Sequence, residues 1–300
     1  MDLTKPSDLS RLLKAHGLHL SRRLGQNFLV DRMHLLRVVE TAAVGADDAV
    51  FEVGPGVGTL TVELAARAAR VACVELDRGL LPVLADVLAP YPNVAVTHAD
   101  ALRLDLPAFL DAQFPPGARD RVKVVANIPY NITSPLLARL LEHKARFFSI
   151  TLMVQKEVAR RLAAAPGADD FGAFSVFAQF HAAVSVAHVV PRGAFFPPPK
   201  VDSAIVHLVP RSTPPVEVPS EEAFFAVSRA LFGQRRKTVA NALTNAPALP
   251  FNREAVSAAL DAAGVEPQRR GETLSLAEIA HISRDLYGER APGDEAPGPR

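Results

Sequence analysis

From residue 49 onward, short apolar runs alternate with amphipathic ones. Residues 49–53, 70–75, 94–97, 122–126 and 148–154 are rich in Val, Ile and Ala and lack a polar-apolar alternation. That is the pattern of strands buried on both faces of a parallel sheet. Between them, residues 59–68, 79–89 and 134–142 place apolar side chains at helical spacing. This β-α-β alternation predicts a doubly wound α/β sheet. A charged helix predicted over 155–165 stops at Pro166-Gly167, and two more strand-like runs follow at 184–190 and 204–209. After a proline-rich linker at 210–219 the period becomes helical, over 220–232, 235–246, 252–264 and 275–287. The pattern therefore predicts a sheet domain over 1–210 and a smaller all-helical domain over 211–290. The tail, 291–300, holds three prolines and two glycines and is expected to be disordered.

Composition narrows the class. Of the 300 residues, 49% are hydrophobic, enough for a packed core. The single cysteine, Cys73, excludes an intramolecular disulfide. Its place in the run Val71-Ala72-Cys73-Val74 reads as a small buried hydrophobe rather than a nucleophile. No apolar stretch approaches the ~20 residues of a membrane span. Asp2 and Asp8 near the N-terminus, with no apolar stretch beside them, do not read as a signal peptide. A cytoplasmic enzyme is expected.

The net charge of +1 hides a segregation. Residues 1–37 carry +4, 38–120 carry −7, 121–199 carry +5, and 200–290 balance. An acidic block between basic ones fits a small-molecule site beside a polyanion-binding surface; ordinary solvated charge also fits.

The first strand runs into Gly54-Pro55-Gly56-Val57-Gly58, with Glu52 two residues before the first glycine. Glycines at a strand-to-helix turn permit positive φ and close approach of a ligand. The dinucleotide fingerprint is G-x-G-x-x-G, whereas this turn is G-x-G-x-G, which suits a ligand without a pyrophosphate. A purely structural turn would give the same spacing. Two acids strengthen the ligand reading. Glu75 ends the next strand, where a carboxylate can accept both ribose hydroxyls of a nucleoside. Asp100 follows the third strand, placed to accept from an adenine amino group.

The fourth strand ends in Asn127-Ile128-Pro129-Tyr130. An exocyclic adenine amine is a poor nucleophile, because its lone pair is delocalised into the ring. Two acceptors aimed at its hydrogens localise that lone pair. The Asn127 side-chain oxygen and the residue 128 carbonyl could supply them. Pro129 stiffens the turn, and Tyr130 offers a face to stack on a flipped base. No Ser-His-Asp set is present, and the nine histidines have no ligand spacing, so no metal is expected. The basic run Arg235-Arg236-Lys237 falls at a predicted helix start, where cations do not complement the helix dipole. A polyanionic partner such as RNA accounts for it better than a solvated basic turn, which stays open as the alternative, so the run is a candidate RNA-binding surface.

Asn127-Ile128-Pro129-Tyr130 resembles the N-[LIV]-P-[YF] signature of the rRNA adenine dimethyltransferase family. DNA adenine methylases carry a second proline where Ile128 stands. Leu24-Gly25-Gln26-Asn27-Phe28-Leu29-Val30-Asp31 is similar to the family's N-terminal cofactor lid. Phe195-Phe196-Pro197-Pro198-Pro199-Lys200-Val201-Asp202-Ser203 is similar to its F-x-P-x-P-K-V-x-S block. Within the family, the run Phe232-Gly233-Gln234-Arg235-Arg236-Lys237-Thr238-Val239-Ala240-Asn241-Ala242-Leu243 resembles the 16S rRNA branch rather than the 23S erythromycin-resistance branch. The resemblance extends over residues 21–288.

It implies a Rossmann-like class I methyltransferase sheet with a smaller C-terminal all-helical domain. S-adenosylmethionine would be held by Asn27, Leu29, Gly54, Gly56, Gly58, Glu75, Asp100 and Asn127. The target base would lie between Tyr130 and Phe195, with Phe196 in loop packing. The expected partner is 16S rRNA in the small ribosomal subunit or its precursor, met by a monomeric enzyme that dimethylates two adjacent adenosines of the 3′-terminal hairpin. A 23S methylase and a mainly non-catalytic assembly factor are the alternatives. A nicotinamide dehydrogenase is disfavoured by the glycine spacing and the lack of a catalytic His or Tyr-Lys set.

Overall fold

The computed structural model describes residues 1–18, 26–117, 122–234 and 236–288. It comprises two compact units, residues 1–160 with 182–212, and residues 161–181 with 213 onward.

The first unit opens with helix α1 (Pro6–Ala15), strand β1 (Phe28–Leu29) and helix α2 (Arg32–Ala42). The core alternation follows as β2 (Ala49–Val53), α3 (Thr59–Ala65), β3 (Arg70–Glu75), α4 (Leu81–Leu88), β4 (Val94–His98), α5 (Leu106–Gln113), β5 (Val122–Asn127), α6 (Thr133–Glu142), β6 (Ser149–Gln155) and α7 (Lys156–Ala163). All five residues of β2 are buried, as are Val122–Ala126 of β5 and Ser149–Val154 of β6. Burial on both faces explains why these strands read as unbroken apolar runs. After α8 (Ala173–His181), the chain adds β7 (Ala182–Val190), β8 (Phe195–Phe196) and β9 (Ser203–Pro210).

The sheet order is β4-β3-β2-β5-β6-β9-β7. Every pairing is parallel except those of β9, which runs antiparallel between β6 and β7. The order thus departs from the six-strand dinucleotide fold by one inserted antiparallel strand near the edge. A buried ion pair holds the foot of β5: Lys123 Nζ lies 2.8 Å from Asp48 Oδ2 and donates to the Ala43 carbonyl at 2.6 Å. Lys123 and Asp48 are both almost wholly inaccessible.

The second unit packs α8 with α9 (Glu221–Gly233), α10 (Val239–Thr244), α11 (Arg253–Ala262) and α12 (Leu276–Tyr287). The side chains of Ser220, Thr238, Asn252 and Ser275 each accept a backbone N–H at the start of one of the last four helices, satisfying donors that would otherwise be orphaned. Stacked Phe180 and Phe224, with centroids 4.7 Å apart, join α8 to α9. Residues 161–181 therefore belong with the helical unit, whereas the linear reading of the chain kept them with the sheet. The reason is that α8 is apolar on the side that meets α9, and sequence order alone does not show which core a helix joins. The predicted helix over 235–246 also begins later, at Val239 behind the Thr238 cap. Arg235 and the expected tail at 291–300 lie outside the described residues, as do Leu24 and Gly25 of the lid block.

Candidate functional site

The carboxyl ends of β2, β3, β4 and β5 open into one cleft, at the point where the strand order reverses between β2 and β5. In an open α/β sheet this switch point is where a ligand finds exposed strand ends and turn backbone. The cleft is lined by Asn27, Leu29, Gly54, Gly56, Glu75, Asp100, Asn127, Pro129 and Tyr130, with Glu52 beneath them.

Gly54, Gly56 and Gly58 take φ of +69°, +61° and +87°, a region that L side chains avoid. A Cβ on Gly56 would stand 2.9 Å from Phe28 Cε1, so glycine there lets the lid strand approach the turn. Gly58 differs. It precedes α3, a Cβ on it would meet Val87 at 3.2 Å, and it does not line the cleft. Its place is in helix packing, the part the last glycine plays in such turns.

Glu75 is 6% exposed at the last position of β3. Its Oε2 accepts the Gly56 N–H at 3.2 Å and its Oε1 accepts the Asp77 N–H at 2.8 Å. Burial raises its pKa above the ordinary carboxylate value, while these two N–H groups pull it back. The carboxylate is thus oriented before any ligand arrives. Asp77 ties the lid to the same strand end: one oxygen accepts the Gly79 N–H at 2.9 Å and the other accepts Gln26 Nε2 at 2.7 Å. Asp100 is partly exposed, its Oδ1 accepting the Leu102 N–H at 2.9 Å.

Beneath the glycine turn, Glu52 is 1% exposed. On β3 the Cys73 thiol donates to it, with Sγ 3.5 Å from Oε2. Burial, with Glu75's charge nearby, raises Glu52 from 4.5 to about 7. The same burial pushes the Cys73 thiol well above its usual value, which keeps it a buried, inert group.

Asn127 Nδ2 donates to the Asn27 carbonyl at 3.1 Å. A carbonyl can only accept, so this contact fixes which end of the amide is the nitrogen and leaves Oδ1 on the other side. Ile128 is 1% exposed and anchors the turn, and Pro129 holds φ at −57°. Tyr130 is half-buried, and its hydroxyl pairs with Ser203 Oγ at 2.6 Å. Ser203 is wholly buried at the first position of β9, so the F-x-P-x-P-K-V-x-S block ends on a group that sets the Tyr130 ring.

Phe195 is 3% exposed and packs with Leu29, Met153 and Ile205. It does not line the cleft. Strand β8 pairs with β1, Phe28 with Phe196 and Leu29 with Phe195, and alternation sends the two phenylalanines to opposite faces. Phe196 is partly buried against a separate cluster containing Leu9, Phe28 and Leu80. Arg236 and Lys237 are exposed in the turn before α10, within the second unit. Ser203, Asp77 and Gln26 were not singled out from the sequence. For Ser203 and Gln26 the signal was present, since both stand inside the matched blocks.

A fixed carboxylate at a β-strand end, a second acid one strand further out, and a glycine turn held open fit the diol, base and backbone-facing edge of a nucleoside. The single-sided amide and the anchored tyrosine, one strand across the switch point, fit a planar base bearing an amine.

The chain matches the family model described as ribosomal RNA adenine dimethylase over residues 17–283. It is 46% identical over 286 residues to ribosomal RNA small subunit methyltransferase A of Shouchella clausii, covering 95% of this chain and 96% of that protein. The protein of the same name from Geobacillus thermodenitrificans is 44% identical, with 95% and 97% covered. Among solved structures, a dimethyladenosine transferase from Plasmodium falciparum superposes with a TM-score of 0.70 at 25% identity, covering 84% of this chain and 94% of that one. The 23S rRNA methyltransferase ErmE superposes with a TM-score of 0.66 at 31% identity, covering 87% and 100%.

Proposed function

This chain belongs to the ribosomal RNA adenine dimethylase family, and we propose that it methylates the exocyclic amines of two adjacent adenosines in the 3′-terminal hairpin of 16S rRNA, twice each. S-adenosylmethionine, when bound, supplies the electrophilic methyl group. Glu75 accepts its ribose hydroxyls, Asp100 accepts its adenine amino group, the turn at Gly54 and Gly56 admits it to the backbone, and Asn27 and Leu29 cover it.

The observation that carries the chemistry is the Asn127 amide, turned by the Asn27 carbonyl so that Oδ1 is left to accept from the target amine. That acceptor draws the amine hydrogens out of the base plane and frees the lone pair for attack. Tyr130, steadied by Ser203, presents its ring to the base, which must leave its stack to reach it. After the first methyl is added the amine keeps one hydrogen, so stacking must hold the base for the second transfer. Phe195, buried behind the lid strand, supports Leu29 from the rear.

Higher identity to the small-subunit relatives than to ErmE supports a 16S target. A 23S target is the second reading. Methyl transfer from labelled cofactor onto unmethylated small and large subunits separates them: label in two adjacent dimethyladenosines of the small subunit is expected, and label confined to the large subunit would refute the assignment. A mainly structural role in subunit assembly would survive Asn127→Ala, whereas the methylation would not. No helix among the described residues is long and apolar enough to cross a membrane, and we take the enzyme to act as a cytoplasmic monomer.

Arg236 and Lys237, with Arg235, form part of the RNA surface in this reading. Neutralising all three is expected to lower the salt slope of RNA binding by roughly 0.7–0.9 for each phosphate left without its cation. An unchanged slope would return them to ordinary surface charge.

A further inference from the structure

The loop that carries Asp100, residues 99–105, lies between β4 and α5, outside any strand or helix. Its shape comes first from bonds to Asp100 itself. The Leu102 N–H donates to Asp100 Oδ1 at 2.9 Å, and the Leu104 N–H donates to the Asp100 carbonyl at 2.9 Å. The carbonyls of the same two residues are taken up by one side chain. Arg139 of α6 donates through Nη1 to the Leu102 carbonyl at 2.7 Å, and through Nη2 to the Leu104 carbonyl. Leu102 and Leu104 thus each bond Asp100 with the N–H and Arg139 with the carbonyl.

We propose that Arg139 is a positioning residue for cofactor recognition: its guanidinium braces the loop so that the Asp100 carboxylate meets the adenine amino group of S-adenosylmethionine. This rests on the cofactor assignment above.

The brace has a firm base. Helix α6 follows directly on residues 127–132, which line the cleft, and its Leu136, Leu137, Leu140 and Leu141 are buried. Those side chains seat the helix in the core without Arg139, so the part that yields when the guanidinium is removed is the loop. The brace also has a fixed shape. A guanidinium is a planar fork whose nitrogens keep one relative position, so two carbonyls bonded by one fork are set relative to each other. With Leu102 and Leu104 both set, Asp100 has its main chain and its Oδ1 held. Its Oδ2 stays available to a ligand: Arg103 Nε approaches it at 3.7 Å, too long for a hydrogen bond, from a largely exposed side chain. Arg139 itself does not line the cleft, so it acts on the ligand only through Asp100. Without the brace Asp100 keeps its charge but loses its direction, and a hydrogen bond to the amino group depends on direction.

The test compares two thioether ligands by calorimetry on the full chain. One is S-adenosylhomocysteine, and the other is its analogue with purine as the base, identical except for the missing amino group. The wild type should favour the amino form by at least about tenfold, as expected for a hydrogen bond to a charged acceptor. Arg139→Met keeps an unbranched apolar stem on the helix and removes both donors. It should bind the amino form roughly three- to tenfold more weakly and the purine form as the wild type does, so the preference shrinks. Asp100→Ala should abolish the preference, and adding Arg139→Met to it should weaken neither ligand further. Turnover at saturating cofactor should stay within about twofold of wild type, because the Asn127 turn and its helix keep their seat. Arg139→Gln, a helix former with one donor nitrogen in place of the fork, should lose part of the preference and serves if Arg139→Met does not fold. Equal weakening of both ligands, as a generally loosened fold would give, or a preference unchanged in both Arg139 variants, would overturn the inference. A wild type indifferent to the amino group would remove the Asp100 assignment and the inference with it, and a wild type that bound neither ligand would remove the cofactor assignment as a whole.

Discussion

Glu75→Ala is the substitution whose consequence follows most directly from the geometry. The carboxylate meets the Gly56 N–H at 3.2 Å and the Asp77 N–H at 2.8 Å, so it is held in place with lone pairs left for a ligand diol. Removing it takes away the acceptor for both ribose hydroxyls. A hydrogen bond to a charged group contributes about 1.5–3 kcal/mol, which corresponds to a roughly 10- to 150-fold weaker affinity at 1.4 kcal/mol per decade. The two N–H groups lose their partner as well, so the Gly56 turn loosens and the loss should fall toward the upper end. Glu75→Gln keeps one oxygen but turns an NH2 toward one of the two backbone donors, and should lie between wild type and Glu75→Ala. Calorimetry with S-adenosylmethionine and with its thioether product measures the effect, and thermal melts show whether the fold is intact. Because both ligands carry the ribose, both should weaken equally. An affinity within twofold of wild type in a folded Glu75→Ala, or a loss confined to the sulfonium form, would refute the ribose assignment.

Three further outcomes are expected. Asn127→Ala should reduce turnover by orders of magnitude while RNA affinity changes little, since its oxygen acts as the transition state forms; single-turnover kinetics beside RNA-binding titrations check this. Tyr130→Phe removes one neutral hydrogen bond to the buried Ser203 hydroxyl, worth about 0.5–1.5 kcal/mol, so turnover should fall only about two- to tenfold. Adding Ser203→Ala should then change little more, and fully additive losses in the double variant would contradict a shared role. Glu52 has its folded pKa raised to about 7 from 4.5. Its contribution to stability is therefore fully present below about pH 4.5 and lost as pH rises through 7. The loss amounts to about 3 kcal/mol at most. Urea midpoints at pH 5 and pH 8 should show Glu52→Gln gaining on wild type as pH rises, and a constant gap would contradict a protonated Glu52.

The core strands were legible because burial on both faces leaves nothing polar to blur them. The predicted 49–53 and 70–75 coincide with β2 and β3, and 122–126 stops one residue short of β5. Helix α8 was not legible, since it runs into β7 at His181 and Ala182 with no glycine or proline between them. The charge argument for Arg235, Arg236 and Lys237 placed them on a helix. Thr238, a good capping residue, instead starts α10 after them and leaves Arg236 and Lys237 in a turn. At the site, residues at strand ends could be found by position alone, as Glu75, Asp100 and Asn127 show. The burial of Phe195 could not, because it depends on a two-residue pairing between segments more than 160 positions apart. The partnership of Tyr130 with Ser203 likewise joins two motifs that are separate in the chain.

The bond from Asn127 to the Asn27 carbonyl has a consequence for timing. An amide is nearly symmetric in shape but opposite in polarity at its two ends, and rotation by half a turn exchanges them. With the Asn27 carbonyl in place, only one orientation is tolerated, the one with the nitrogen toward Asn27 and the oxygen away from it, where the proposed amine would sit. Were the N-terminal strand withdrawn, the amide could present its NH2 group to an incoming amine, donor against donor, with every catalytic side chain still present. In the proposed mechanism the strand carrying Asn27 would therefore also act as a polarity lock, making base chemistry conditional on a seated cover. Asn127→Asp, equal in size and richer in oxygen, would set an anion against the Asn27 carbonyl and is expected to open the cover.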